Sequence, residues 1–304
     1  MPWQTTSDVT EFLAAAGPHL RRERARNTVI LSVTESMRER ALAAAGNSPD
    51  GRAEAPDGRA AVADPAARPL LGWWADQAGA VAGAFMHTPP FPVVLTAVAL
   101  DVAAELSAVT LAGRPLGGVN AYPEVADAFA GGWLEGHPGG RADVYRRQRL
   151  YRLGDLVWPD PAPAGAARVA DDSDAALTAA WFGAFADEVD DMGRGEDQSA
   201  AARDKISHGG VLVWEADGGP VSIACTTVQV AGMVRIGPVY TPPAARGHGY
   251  ASAVTAELSR RLLDDGSEEV LLYTDLANPV SNSIYQRIGY RPVEDRVVLS
   301  FSTD

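Results

Sequence analysis

The sequence that decides the fold reads Arg246-Gly247-His248-Gly249-Tyr250-Ala251. It follows a predicted strand over Val234–Tyr240, which must end at Pro242-Pro243 because proline lacks the amide that a sheet requires. It opens a predicted helix over Gly249–Leu263, whose apolar residues recur on one face. The first amides of a helix have no partner within the helix and carry the positive end of its dipole. The strand, the turn and the helix together predict a seat for phosphate oxygens.

The two glycines suit this turn to phosphate, since glycine adopts left-handed dihedral angles and lets a ligand approach the backbone. Arg246 adds a cation that can form charge-assisted hydrogen bonds. Two other nucleotide-binding motifs do not fit: a Walker loop requires Gly-Lys-Ser/Thr, which is absent, and a dinucleotide fingerprint requires a third glycine where Ser252 stands. A glycine pair at a helix start is also common without any ligand, so the turn by itself leaves a structural role open.

Further along the chain, a second set of residues surrounds a predicted helix over Asn282–Ile288. Its members are Asn278, Ser281, Asn282, Tyr285, Gly289 and Tyr290. The two motifs, in this order, resemble those of the GNAT superfamily of acetyltransferases, whose first signature is Arg/Gln-x-x-Gly-x-Gly/Ala between a strand and a helix. Arg246, Gly249 and Ala251 fill its three fixed places. The resemblance covers roughly residues 168–301, and the residues before it share only the order of elements.

The resemblance implies an α+β fold with tandem GNAT-like domains, each a mixed, mostly antiparallel sheet flanked by helices. We expect a degenerate N-terminal domain at residues 1–157 and an acyl-CoA-binding domain at residues 168–304, because the prolines between them cannot continue a helix or a sheet. Thr-Pro-Pro follows a predicted strand in each half, at Thr88 and at Thr241. This repetition indicates two related units.

The N-terminal half begins with a predicted helix over Val9–Leu20. The β-branched run Thr28–Val33 predicts a strand, and Glu35–Ala45 predicts a helix. Residues 46–69 are rich in Gly, Pro, Ala and Asp and offer almost no large apolar side chain to bury, so we expect a mobile loop there.

By the same resemblance, acetyl-CoA is the cosubstrate, and the primary amine of a small molecule attacks its thioester directly. Tyr285 occupies the place of the tyrosine that in the family protonates the departing thiolate, and a phenol with a pKa of about 10 is protonated at neutral pH; the alternative is a helix tyrosine packed on the sheet. Asn282 would bond the pantetheine arm, which lies like an added strand between two strands that splay apart. The residues that the resemblance assigns to the cofactor are Val239, Tyr240, Thr241, Arg246, Gly247, His248, Gly249, Tyr250, Ala251, Asn278 and Asn282.

The general base is not identified by these motifs. Many family members keep a glutamate on the fourth strand, whereas residues 233–239 of this chain hold no carboxylate. Asp275 could act as the base through water or could cap a turn. An acidic run could receive a cationic amine or could be a solvated loop, and it consists of Asp187, Glu188, Asp190 and Asp191.

The composition argues against several other classes of protein. A formal net charge of −13 disfavours wholesale binding to nucleic acid or to an anionic membrane, and no apolar run approaches the roughly 20 residues that span a bilayer. The five histidines lack metal-ligand spacing, so we expect no metal.

The N-terminus lacks the pattern of a signal peptide, and a lone cysteine, Cys225, fits a reducing cytoplasm. The sequence leaves room for a homodimer and does not fix the oligomeric state.

The function that the resemblance implies is an acyl-CoA-dependent N-acyltransferase of the cytoplasm. Two alternatives stay open. One is a tandem-domain synthase of the mycothiol synthase type, which acylates the amine of a thiol sugar. The other is an acyl-CoA-binding sensor or pseudoenzyme, which the missing strand carboxylate favours.

Overall fold

The computed structural model describes residues 2–46, 68–189 and 195–303. By its internal contacts the chain forms two compact units. The first unit comprises Met1–Gln148 and Asp295–Asp304, and the second unit comprises Arg149–Glu294. Most of the predicted loop at residues 46–69 lies outside the described residues, as do Asp190 and Asp191.

Each unit contains a sheet with helices packed on it. In chain order, the described strands are β1 (Gln4–Thr6), β2 (Leu70–Ala75), β3 (Val81–His87), β4 (Val93–Leu95), β5 (Gly118–Ala121), β6 (Arg141–Leu153), β7 (Ala166–Val169), β8 (Val211–Ala216), β9 (Gly219–Thr226), β10 (Met233–Tyr240), β11 (Glu269–Asp275) and β12 (Tyr290–Ser302). The described α-helices are α1 (Val9–Arg22), α2 (Thr28–Gly46), α3 (Leu100–Glu105), α4 (Pro123–Glu135), α5 (Ala175–Glu188), α6 (Ser199–Ser207), α7 (Tyr250–Asp264) and α8 (Pro279–Arg287).

The boundary between the units differs from the predicted one. The chain enters the second unit within β6 and leaves it within β12. The proline-rich residues 158–167 therefore lie inside the second unit, where they form mostly irregular backbone. Proline density marks where regular structure stops, whereas a unit is defined by the core into which a segment packs, and the local sequence pattern does not carry that information.

The two units repeat one order of elements and one pattern of strand pairing. In the first unit β1 to β5 pair in sequence, antiparallel except for the parallel pair β4–β5. In the second unit β7 to β11 pair in the same way, with β10–β11 parallel. The predicted α+β fold, with a mixed and mostly antiparallel sheet flanked by helices in each unit, is confirmed.

The tripeptide Thr-Pro-Pro does not mark equivalent positions in the two units. Thr88 follows β3, the third strand of the series β1 to β5, whereas Thr241 follows β10, the fourth strand of the series β7 to β11. In the first unit, residues 96–99 make the connection that corresponds to the predicted phosphate turn, between β4 and α3. This connection contains no glycine, and Asp101 places a negative charge in the first turn of α3. This connection therefore lacks the glycine turn that suits the corresponding connection of the second unit to a phosphate.

The strand predicted over Thr28–Val33 is wrong, because these residues belong to the single helix α2. Ile30, Leu31 and Thr34 are buried, at the spacing of one helix face. The hydroxyl of Thr34 donates a hydrogen bond to the carbonyl of Ile30 at 2.7 Å, one helical turn earlier. Burial of this face outweighs the strand preference of the β-branched residues.

The second unit has a hydrophobic core on each face of its sheet. On one face, Val254 of α7 packs with Leu272 of β11. On the other face, Phe182 of α5 and Ile206 of α6 pack with Cys225 of β9. Burial raises the pKa of the Cys225 thiol to about 12, so this cysteine is a packing residue and not a nucleophile. The two cores fix β10, β11 and α7, whose ends build the site.

Candidate functional site

The connection between β10 and α7 has the backbone that the glycine motif predicts. A short turn over Pro243–Ala245 follows the strand, and α7 begins at Tyr250. Gly247 and Gly249 have φ angles of +84° and +83°, a left-handed region in which other L-residues are strained. A Cβ at Gly249 would lie 3.8 Å from Pro163, an ordinary contact distance. The backbone conformation, rather than a lack of space, is what requires glycine.

The first amides of α7 lack partners inside the helix. Its cap position is Gly249, and no described side chain caps it. The first intrahelical bond joins the amide of Ala253 to the carbonyl of Gly249 at 3.1 Å. The amides of Tyr250, Ala251 and Ser252 therefore have no helical acceptor, and they carry the positive end of the dipole of a 15-residue helix. Backbone of this kind favours phosphate oxygens.

The strands β10 and β11 splay apart beside this turn. They pair in parallel over four residue pairs, which end at Ile236 and Leu272. Beyond these, Gly237 has a φ angle of 151° and Pro238 has no amide, so the ladder cannot continue. The edge of β10 at Val239 therefore has no strand partner in β11. The gap that the resemblance implies for a pantetheine arm is present.

A cleft of about 600 Å³ opens at the splayed strands and the glycine turn. Every residue assigned to the site from the sequence lines this cleft, except His248, Asp275 and Asn282. Apolar side chains from two helices add to its wall, among them Phe185 of α5 and Ile284 of α8. The volume and the mixture of apolar and polar groups are typical of a cofactor or small-molecule site.

Tyr285 presents a protonated phenol to the cleft. Its ring packs edge-on against Tyr290, with 6.1 Å between the ring centroids. Burial raises the pKa of Tyr285 to about 12, so the hydroxyl keeps its proton at neutral pH. Within the described part of the chain no group forms a hydrogen bond with this hydroxyl. The phenol is therefore available to a bound molecule.

The guanidinium of Arg246 pairs with the carboxylate of Glu188, the last residue of α5. Its Nη2 lies 2.7 and 2.6 Å from the two carboxylate oxygens of Glu188, and its Nε donates to the carbonyl of Thr241 at 2.9 Å. The hydroxyl of Tyr240 also donates to Glu188, at 3.1 Å. Sequence reasoning placed Glu188 in an acidic run but did not connect it with Arg246, because the pairing depends on how α5 packs beside β10.

Asn278 and Asn282 hold the start of α8. The side-chain oxygen of Asn278 accepts a hydrogen bond from the amide of Ser281 at 3.0 Å, which caps the helix. The amide group of Asn282 donates to the carbonyls of Asp275 and Asn278 at 2.8 and 2.7 Å, and its oxygen accepts from Tyr151 at 3.0 Å. Asn282 is thus engaged with the protein, whereas Asn278 also lines the cleft.

Replacing Asn282 by alanine should destabilise the second unit more than it weakens ligand binding. The change removes three hydrogen bonds, so we expect the free energy of unfolding to fall by about 1–3 kcal/mol, measured by chemical denaturation. The exposed neighbour Ser283→Ala is the control, with an expected change within about 0.5 kcal/mol. Unchanged stability together with a large loss of CoA affinity would instead place Asn282 on the ligand.

Besides Asn282, the predicted site residues Asp275 and His248 lie outside the cleft. The carboxylate of Asp275 accepts a hydrogen bond from the amide of Ala277 at 2.8 Å, as in the turn-capping alternative. His248 is exposed and stacks on Tyr250, with 5.5 Å between the ring centroids. Neither residue is among those that line the cleft.

Comparisons with known proteins agree with this geometry. The FR47-like protein family matches residues 218–299, which run from the start of β9 into β12. A GNAT-family acetyltransferase from Colwellia psychrerythraea aligns with 99% of this chain and 99% of its own, at 12% identity and a TM-score of 0.54. The chain has a GNAT fold.

Two further structures also align over almost the whole chain. A Drosophila protein aligns at 14% identity over 99% of this chain and 98% of its own, with a TM-score of 0.63. A GCN5-related N-acetyltransferase from Sphaerobacter thermophilus aligns at 17% identity over 99% and 95%, with a TM-score of 0.55. No curated protein matches the sequence. At these identities the likeness establishes the GNAT fold alone.

Two other properties concern the described residues as a whole. No helix in the described ranges combines the length and the apolarity that crossing a bilayer requires. The described His, Cys, Asp and Glu side chains form no group of three or more that could hold a metal ion.

Proposed function

We propose that this chain is an acyl-CoA-dependent N-acyltransferase that transfers an acetyl group from acetyl-CoA to the primary amine of a small molecule. The observation that carries the proposal is the meeting of three features at one cleft of the second unit. These are the uncapped amides behind Gly249, the gap between β10 and β11, and the phenol of Tyr285. Acetyl-CoA would match all three features. Its diphosphate would bind the amides, its pantetheine arm would lie in the gap, and its thioester would lie beside the phenol.

In the proposed reaction the amine nitrogen attacks the thioester carbonyl directly. A carbon–nitrogen bond forms, the carbon–sulfur bond breaks, and the thiolate takes the proton of Tyr285. The nitrogen loses one proton, which replaces the proton of the phenol through solvent, so that an amide and a free thiol are the products. Backbone amides of β10 beyond Ile236, where the pairing with β11 has ended, would polarise the carbonyl as its oxygen gains charge.

The proposed acceptor is a small-molecule amine, and neither nucleic acid nor a membrane takes part. The net charge of −13 supports this choice, because it repels both polyanions and attracts ammonium groups. We further propose a cytoplasmic setting, which agrees with the single, buried cysteine.

The test is thiol release from acetyl-CoA in the presence of a panel of primary amines that includes an amino sugar. We expect at least one amine to release free thiol well above the rate of hydrolysis, with the acetylated amine detected by mass spectrometry.

An acyl-CoA sensor is the second candidate. Glu188 is the single acidic residue among the described residues that line the cleft, and its pairing with Arg246 keeps it from acting as a general base. Tight CoA binding without thiol release on any amine would favour the sensor.

A further inference from the structure

The strand that carries a glutamate in many GNAT proteins has no carboxylate here, and the described lining of the cleft supplies one from a different element. Glu188 is the last residue of α5 and the sole acidic side chain among the described residues that line the cleft. Its side chain retains 41% of its exposure, so the carboxylate is accessible from the cleft.

The position of Glu188 at the end of α5 favours a cationic partner. The C-terminal end of a helix carries the negative end of the dipole, which disfavours a carboxylate there. Arg246 supplies the cation, with contacts of 2.6 and 2.7 Å, and Tyr240 adds a hydrogen bond at 3.1 Å. If Arg246 turned away, another cation would be favoured in its place.

Arg246 also lies next to Gly247 at the start of the predicted phosphate turn. The Glu188 carboxylate and a bound diphosphate would therefore compete for its guanidinium. Its side chain is 48% exposed and is held by Glu188 and by the carbonyl of Thr241. A diphosphate bound to the amides of Tyr250 and Ala251 carries more charge than one carboxylate, and it accepts charge-assisted hydrogen bonds from arginine. A half-exposed ion pair is weak enough to be exchanged for it.

We propose that Arg246 is exchanged between Glu188 and the diphosphate of the donor, and that the freed Glu188 carboxylate then binds the ammonium group of the acceptor. This inference rests on the proposed function, because it requires CoA to occupy the cleft. The exchange of Arg246 makes the reaction ordered, with the donor binding before the amine. It also assigns cationic amines, rather than neutral ones, as the acceptor class.

Calorimetric titration of four proteins with CoA tests the exchange: the wild type, Glu188→Gln, Arg246→Gln and the double variant. Glutamine keeps the hydrogen bond from Tyr240 but loses the charge that holds Arg246. We expect Glu188→Gln to bind CoA about three- to fivefold more tightly than the wild type. In the Arg246→Gln background the same change should have no effect. Pantetheine, which lacks the diphosphate, should bind the wild type and Glu188→Gln equally.

Asp187→Asn is the matched control, because it removes the same charge one residue earlier and Asp187 does not line the cleft. Thermal denaturation verifies that each variant is folded. If Glu188→Gln bound CoA no more tightly than the wild type, the exchange would be overturned. It would also be overturned if Asp187→Asn gained as much CoA affinity as Glu188→Gln, or if Glu188→Gln gave the same gain in the Arg246→Gln background. Either of these gains would reflect the loss of a negative charge alone. A wild type that binds neither CoA nor pantetheine would instead overturn the proposed function.

A kinetic measurement adds the acceptor side. With an amine that the panel shows to be acetylated, Glu188→Gln should raise the KM for the amine at least tenfold while the affinity for CoA increases. An unchanged KM for a cationic amine would remove Glu188 from acceptor binding.

Discussion

Replacing Gly249 by valine should raise the dissociation constant of CoA by on the order of 100-fold. Gly249 has a φ angle of +83°, which a β-branched residue cannot adopt without strain. The turn would relax to another conformation, and the amides that follow it would no longer converge on one phosphate. Calorimetric titration with CoA measures the effect.

Gly266 provides the matched control at the other end of the same helix. Its φ angle is +88°, and a Cβ there would meet nothing within 4 Å, so Gly266→Val imposes a similar backbone cost. Both variants should lose about 1–3 kcal/mol of unfolding free energy, and only Gly249→Val should lose CoA affinity. Equal CoA affinity in the two variants would contradict the assignment of the turn to phosphate.

Replacing Tyr285 by phenylalanine should lower kcat by on the order of 10²- to 10³-fold and leave the CoA affinity within about twofold. The ring would still pack against Tyr290, since only the hydroxyl is removed. The departing thiolate would then have to take its proton from water. Steady-state kinetics with an acetylated amine from the panel, together with CoA titration, separate the two effects.

The control for this variant is Tyr145→Phe, which removes a hydroxyl from an exposed residue of the first unit. Its kcat should equal that of the wild type. If Tyr285→Phe also kept the wild-type kcat, the phenol would be a packing residue, which is the alternative that the sequence left open.

The fold was predictable where local pattern and burial agree. The helix at residues 9–20 and the strand, proline break and helix around residue 246 follow directly from periodicity and from the chemistry of proline and glycine. The prediction failed at residues 28–33, where β-branched residues lie on a buried helix face. The limits of the compact units depend on the core into which each segment packs, and the local sequence pattern does not carry that information.

The site was predictable as far as its backbone, because glycine φ angles and the splay after Gly237-Pro238 are encoded locally. The side-chain partners were not. Asn282 binds Tyr151, which is 131 residues away, and Arg246 binds Glu188, which is 58 residues away. The motif identifies that an asparagine and an arginine stand at these places, whereas tertiary packing decides what they contact.

The number of CoA molecules bound per chain tests the central claim most directly. The glycine turn is present in the second unit, and residues 96–99 replace it in the first with a glycine-free connection followed by Asp101. Calorimetric titration of the wild type should therefore give one CoA site per chain, and Gly249→Val should weaken that site by on the order of 100-fold. An absence of binding to the wild type, a second site, or a single site whose affinity is unchanged in Gly249→Val would contradict the account.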